Sequence, residues 1–160
     1  MGSRSKINLA YIAGFLDGDG SLMIQIKKRS DIKSGVRIML TICFYQDSRH
    51  AEPLIWIRRI LGIGYISKRN DGITELRING FEQIHKILKD LIPYLKFKRK
   101  QALAIFEAAE ILKNKKRKDK LNQKDLRKLI DCIMIVQTNN YATRSKKKKE
   151  DLCKILGLTP

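Results

Sequence analysis

Cysteine is scarce. Cys43, Cys132 and Cys153 are odd in number, widely spaced and without a Cys-x-x-Cys pair, which argues against a disulfide framework. His50 and His85 do not supplement them at zinc spacing, so a structural zinc site is also disfavoured and a reducing intracellular compartment is expected. With 3 prolines and 10 glycines in 160 residues, long linkers are not expected. The chain fits one domain over 1–160, with a core at about 8–100 and a helical region at about 101–160. Long apolar runs are missing too. The longest, Leu9–Leu16, falls short of the about 20 residues that span a bilayer, so no membrane partner is expected. No signal peptide is read, because Asp17 and Asp19 stand where a small-residue cleavage site is needed.

Negative charge is the last deficit: 16 acidic residues face 34 Lys and Arg, a net charge of +18. A field of that size in a short chain favours a polyanion, most commonly nucleic acid, over a basic surface kept for solubility alone. Hydrophobic residues at 43% and charged residues at 31% fit a folded protein.

What is present is strongly periodic. Asn8 is a plausible N-cap for a helix running through Leu16. From Ser21 to Arg29, Leu22, Ile24 and Ile26 alternate with mostly polar positions, and from Val36 to Tyr45 the apolar set is Val36, Ile38, Leu40, Ile42 and Phe44. This period of two predicts two half-buried antiparallel strands joined through "KRSDIKSG". Ala51–Leu61 reads as a helix, a second hairpin turns at Asn70-Asp71-Gly72, and Phe81–Leu91 carries a helical stripe of Ile84, Ile87, Leu88 and Leu91. Further helices are expected near 99–112, 123–137 and 148–156. The fold class is therefore α+β: an αββαββα core with a four-stranded antiparallel sheet, helices on one face, and additional C-terminal helices.

Followed consistently, the alternation puts Gln25, Lys27, Arg29, Arg37, Ser67, Arg69, Glu75 and Arg77 on the open face of that sheet. Each alone fits a solvated position, whereas together they suggest a groove for nucleic acid, since two-stranded ribbons fit the major groove of B-DNA. The basic runs "KNKKRKDK" (113–120) and "RSKKKK" (144–149) lie outside the sheet, where they would add phosphate contacts or solvated surface.

The stretch "NLAYIAGFLDGDGS" (8–21) holds the only carboxylates of the first thirty residues. Ala10, Gly14 and Gly18 repeat every four positions and permit close approach of another backbone, either a second copy of the helix or the chain's own sheet. Asp17 and Asp19 sit where a helix end carries partial negative charge, a conflict that a cation resolves. An all-oxygen site there suits Mg²⁺ shared with substrate phosphates, and the alternative is a glycine-rich cap with a solvated aspartate.

With these residues in view, "LAYIAGFLDGDGS" resembles the signature of the LAGLIDADG homing endonucleases of the single-motif type, and "PYLKFKRKQA" (93–102) resembles the segment carrying their active-site lysine. No second "GFLDGDG" occurs in 100–160. The resemblance implies a homodimer with Ala10, Gly14 and Gly18 at the interface. It implies Asp19 as the metal-binding acid with the Gly18 carbonyl, and Mg²⁺ as the ion, with Mn²⁺ or Ca²⁺ able to occupy the same sites. Gln46 and Lys98 match residues that position water and stabilise charge. His50 stands where relatives place Arg or Lys, so either it or the neighbouring Arg49 takes the supporting basic role. Asp17 is given a structural or supporting role. Met39 and Cys43 join the expected DNA-facing set, and Asn139, Thr143, Arg144 and Ser145 resemble a loop that contacts phosphates. The implied activity is Mg²⁺-dependent, site-specific cleavage of both strands of a long pseudo-palindromic DNA target, leaving short 3′ overhangs, for intron homing in a chloroplast or mitochondrion. An intron maturase or DNA-binding regulator that keeps the fold but has lost cleavage, and a structural nucleic-acid protein such as a ribosomal component, are the alternatives.

Overall fold

The computed structural model describes residues 4–31, 35–113, 121–141 and 145–159. The order is α1 (Lys6–Asp19), β1 (Gly20–Lys28), β2 (Val36–Asp47), a short 3-10 turn (Ser48–His50), α2 (Glu52–Leu61), β3 (Tyr65–Lys68), β4 (Ile73–Asn79), α3 (Phe81–Leu91), α4 (Arg99–Lys113), α5 (Gln123–Asn139) and α6 (Lys149–Ile155). The four strands form one antiparallel sheet in the order β1-β2-β4-β3. The expected αββαββα order is therefore the observed one, and α3 begins and ends at the residues that its apolar stripe marks.

Small shifts of boundary occur at several elements, such as β2 ending at Asp47 rather than Tyr45, and the start of α1 is among those that move furthest. Asn8 is not the cap of α1: Ser5 is, its hydroxyl accepting the Asn8 N–H at 3.2 Å from extended backbone at φ −62° and ψ 154°. Both residue types cap well, and the nearly uniform apolarity after Asn8 hides the extra turn. Ser5→Ala should cost about 1 kcal/mol in a denaturant titration. A loss of only a tenth or two would place the helix start elsewhere.

Strand parity decides the layers. Leu22, Ile38, Leu40, Ile42, Phe44, Leu76 and Ile78 form the buried side, covered by Ile12 and Leu16 of α1, Leu54 and Ile57 of α2, Ile84 and Leu88 of α3, and Ile105 of α4. Leu129, Cys132 and Val136 extend α5 into this core, while Ile130 and Ile133 join Leu152, Cys153 and Leu158 in a second cluster, against which Ile24 and Ile26 also pack. The C-terminal helices are thus fastened to the β1 edge by apolar contact on both sides of α5. The β3–β4 turn falls where Asn70-Asp71-Gly72 predicts it: Arg69 N–H donates to the Ile73 carbonyl at 2.8 Å, and Gly72 has φ +80°, a conformation that glycine adopts without strain. Among the described residues, no helix is long and apolar enough to cross a membrane.

Candidate active site and nucleic-acid face

The end of α1 is joined to the start of α4 by a reciprocal exchange. The Asp17 carboxylate is buried and accepts three backbone N–H groups: Lys96 at 2.6 Å and Phe97 at 3.1 Å on Oδ2, and Lys98 at 2.9 Å on Oδ1. These donors precede α4 and would otherwise be orphaned. In return, Nζ of Lys98 donates to the carbonyls of Asp17 at 2.6 Å, Leu16 at 2.9 Å and Gly18 at 3.4 Å at the end of α1, where the Leu16 carbonyl also accepts the Gly20 N–H. An acid thus serves one helix start and a cation one helix end, each matching the local dipole. The electrostatic conflict visible in the sequence is answered within the chain, by a lysine about eighty residues away. Burial pulls the Lys98 ammonium below the ordinary lysine range, and the charges of Asp17 and Asp19 oppose that pull.

Asp19, the last residue of α1, stays exposed. Gly20 follows at once, and a Cβ there would lie 2.5 Å from Cδ1 and 2.8 Å from the carbonyl oxygen of Leu16, so the helix-to-strand step needs glycine. Gly20 pairs with Phe44 in the antiparallel register, which carries the end of β2, with Gln46, past the Asp19 end of β1. Oε1 of Gln46 is held by the Asp47 N–H at 2.9 Å. Arg49 and His50 are exposed in the 3-10 turn, and Arg49 is bound to Asp47 through Nε at 3.0 Å and Nη2 at 2.8 Å. No group of three or more His, Cys, Asp or Glu among the described residues could hold a metal. One chain supplies one exposed carboxylate and a main-chain carbonyl, a hard oxygen pair that fits a divalent ion completed by water and phosphate oxygens.

The open face of the sheet carries Ser21, Met23, Gln25 and Lys27 on β1, Arg37, Met39 and Thr41 on β2, Tyr65 and Ser67 on β3, and Arg77 on β4, as alternation predicts. Arg29 and Arg69 follow the ends of β1 and β3, paired with Asp31 and Asp71. Two expected DNA contacts lie deeper than parity suggests. Cys43 is fully buried and Glu75 is 7% exposed, so neither reaches out from this face. Burial pushes the Cys43 thiol up to about 11, which keeps it a donor toward Glu75.

A groove of about 690 Å³ runs between β1 and α5, lined by Met23, Gln25, Lys27, Lys98, Asn139 and Ser145 among others. It joins the open face to the end of α1. Gln101, 4% exposed, anchors its far wall by donating to the Asn139 carbonyl at 3.0 Å, and Asn140 donates to the Leu22 carbonyl at 2.9 Å. Tyr45, hydrogen-bonded to Ser21 at 2.9 Å, and the exposed Tyr141 also line it. Sequence reasoning missed Met23, Tyr45, Asn140 and Tyr141 as groove residues, although the strand parity of Met23 and Tyr45 could have found them. Thr143 and Arg144, like residues 114–120 of the first basic run, lie outside the described residues.

Along α1, the expected interface residues Gly14 and Gly18 are exposed and Ala10 is half-buried. A Cβ at either glycine would meet nothing within 4 Å in the chain itself.

Similarity to known proteins agrees with this arrangement. The sequence profile described as LAGLIDADG endonuclease matches residues 12–112, from α1 to the end of α4. DNA endonuclease I-CvuI of Chlorella vulgaris is 34% identical over 147 residues, covering 91% of this chain and 85% of that protein. DNA endonuclease I-CreI of Chlamydomonas reinhardtii is 32% identical over 112 residues, 70% of this chain and 68% of that one. The crystal structure of I-CvuI in complex with its target in the presence of Ca superposes with a TM-score of 0.80 at 27% identity, over 97% of this chain and 98% of that one. Since the profile spans both helix–strand–strand units and I-CvuI is 34% identical over 91% of this chain, the chain belongs to the LAGLIDADG endonuclease family.

Proposed function

We propose that this chain, folding as one domain, is a site-specific DNA endonuclease that acts as a homodimer and cleaves one phosphodiester per strand of a pseudo-palindromic duplex. The observation that carries this reading is the Asp17–Lys98 exchange, which sets a buried ammonium beside the exposed Asp19 at the edge of a basic sheet face. Asp19 and the Gly18 carbonyl would hold a divalent ion, Mg²⁺ by preference with Mn²⁺ or Ca²⁺ as substitutes. When bound, such an ion polarises the phosphate and lowers the pKa of a coordinated water. Lys98 supplies positive charge where negative charge develops on the phosphate. Gln46, its Oε1 fixed by Asp47, orients water near the cut. His50 or the neighbouring Arg49, both exposed in the 3-10 turn, takes the supporting basic position. The strand faces, with Asn139 and Ser145 beside them, hold the duplex, and the biological role is intron homing in an organelle.

The dimer places α1 of one chain against its copy. Glycine in a helix interior costs about 1 kcal/mol relative to alanine, and Gly14 has no use for its missing side chain within one chain. Gly14→Leu should therefore leave the fold intact yet convert the dimer to a monomer in sedimentation equilibrium. A variant that still sediments as a dimer would remove α1 from the interface.

The activity is tested by retention of duplexes from a random pool, addition of Mg²⁺ and sequencing of new ends. Cuts at one pseudo-palindromic site are expected. Retention of one site without cutting would make the chain a binding module, and retention without sequence preference a structural nucleic-acid protein.

A further inference from the structure

Four arginines on and around the open face are paired with an acid two residues away, and one of those pairs is held differently from the rest. Arg29 with Asp31, Arg49 with Asp47 and Arg69 with Asp71 are ion pairs whose side chains are all more than a third exposed. In solvent such pairs contribute little and do not fix a long side chain. The Arg77 and Glu75 side chains are 28% and 10% exposed. Nε and Nη2 of Arg77 both approach Oε1 of Glu75, at 3.1 and 3.0 Å, and the Cys43 thiol donates to Oε2 at 3.8 Å. Cross-strand neighbours flank the arginine, with Cys43 opposite on β2 and Tyr65 opposite on β3. Both carboxylate oxygens are engaged within the face, so Glu75 is not a base-reading acid but a brace.

A guanidinium carries five N–H donors in a rigid planar fork. Glu75 occupies the Nε–Nη2 edge, leaving the Nη1–Nη2 end with two parallel donors. The adjacent O6 and N7 acceptors of guanine in the major groove match such a pair, while adenine replaces one acceptor with a donor. A side chain already fixed in one orientation loses little freedom on contact, which sharpens discrimination.

We infer that Arg77, braced by Glu75 and Cys43, reads a guanine in each half of the DNA target, while the two bracing residues act through it without touching the DNA. The inference rests on the DNA-cleaving reading above. In a two-fold dimer the guanine recurs at symmetric positions on opposite strands. Glu75 is a positioning residue here, and Arg77 determines specificity.

The test is selection of bound duplexes from a random pool in Ca²⁺ with the wild-type chain, Glu75→Gln, and the double variant Arg77→Ala/Glu75→Gln. The double variant removes the reader without stranding a buried carboxylate. Wild type should require guanine at one symmetric pair of positions, by about 5- to 150-fold over other bases. Glu75→Gln should keep the same guanine with a weaker preference. The double variant should lose preference at that pair and keep the rest of the site, which also shows that it is folded. Should Glu75→Gln fail to fold, the double variant alone decides. Guanine retained by the double variant overturns the inference, as does a new base selected at full strength by Glu75→Gln, because Glu75 would then read DNA itself. A wild type that selects no site overturns the DNA-cleaving reading together with this one, whereas a selected site unaffected by the variants overturns this one alone.

Discussion

Asp19→Asn should abolish cleavage while leaving DNA binding within a few-fold of wild type. Asp19 is exposed at the last position of α1, so exchanging its carboxylate for an amide removes no packing. What disappears is the one exposed charged oxygen at the end of α1, and a hard divalent ion has little affinity for a neutral amide in its place. Metal stabilisation of a phosphoryl transition state contributes several kcal/mol, so the rate should fall by about 10³-fold or more. Binding depends on the basic face, which this change leaves untouched, and one fewer anion near the duplex slightly favours it. Single-turnover cleavage in Mg²⁺ and filter binding in Ca²⁺ separate the two effects. Cleavage within tenfold of wild type would show that Asp19 does not hold the metal.

Asp17→Ala should be strongly destabilising for a change at a polar residue of α1. It deprives the N–H groups of Lys96, Phe97 and Lys98 of their acceptor at one stroke. A buried donor left unsatisfied costs about 1–3 kcal/mol, and water reaches the neighbourhood of the exposed Phe97, so a total of about 3 kcal/mol is expected. For a chain of this size that lowers the melting temperature by about 10 °C. Asp17→Asn should not rescue it, because an amide keeps one acceptor and turns its NH₂ group toward further donors. A shift below about 0.5 kcal/mol in the denaturant midpoint would mean that the Lys96–Lys98 turn holds its shape without Asp17. Lys98 also loses a compensating negative charge and its anchored backbone, so any folded fraction should cleave more slowly even at low temperature.

Much of the architecture was legible because local periodicity and tertiary burial agree. The period of two in β1 and β2 and the apolar stripe of Phe81–Leu91 each mark the side that packs, and turn chemistry at Asn70-Asp71-Gly72 marks the reversal. The start of α1 was not legible, since Ser5 and Asn8 are both good caps and an all-round apolar helix has no stripe to align. Parity placed Cys43 and Glu75 on the correct face but says nothing about depth. Their burial goes with the contacts that Glu75 makes to Cys43 across the strands and to Arg77 beside it, which strand parity does not encode. The Asp17–Lys98 exchange was half visible: a carboxylate at a helix end signals a missing cation, but no local pattern announces that residue 98 supplies it.

The two faces of the sheet are written in alternate residues of the same strands, so stability and target preference are inherited through separate sets of positions. A lineage could drift at Gln25, Arg37 or Met39 and acquire a new DNA address without disturbing Leu40 or Phe44 beneath. The braced arginine breaks that independence. Glu75 cannot lose Arg77 without keeping a stranded charge, so these two positions are expected to change together or not at all, and the base they specify should be among the slowest parts of the recognised site to diverge.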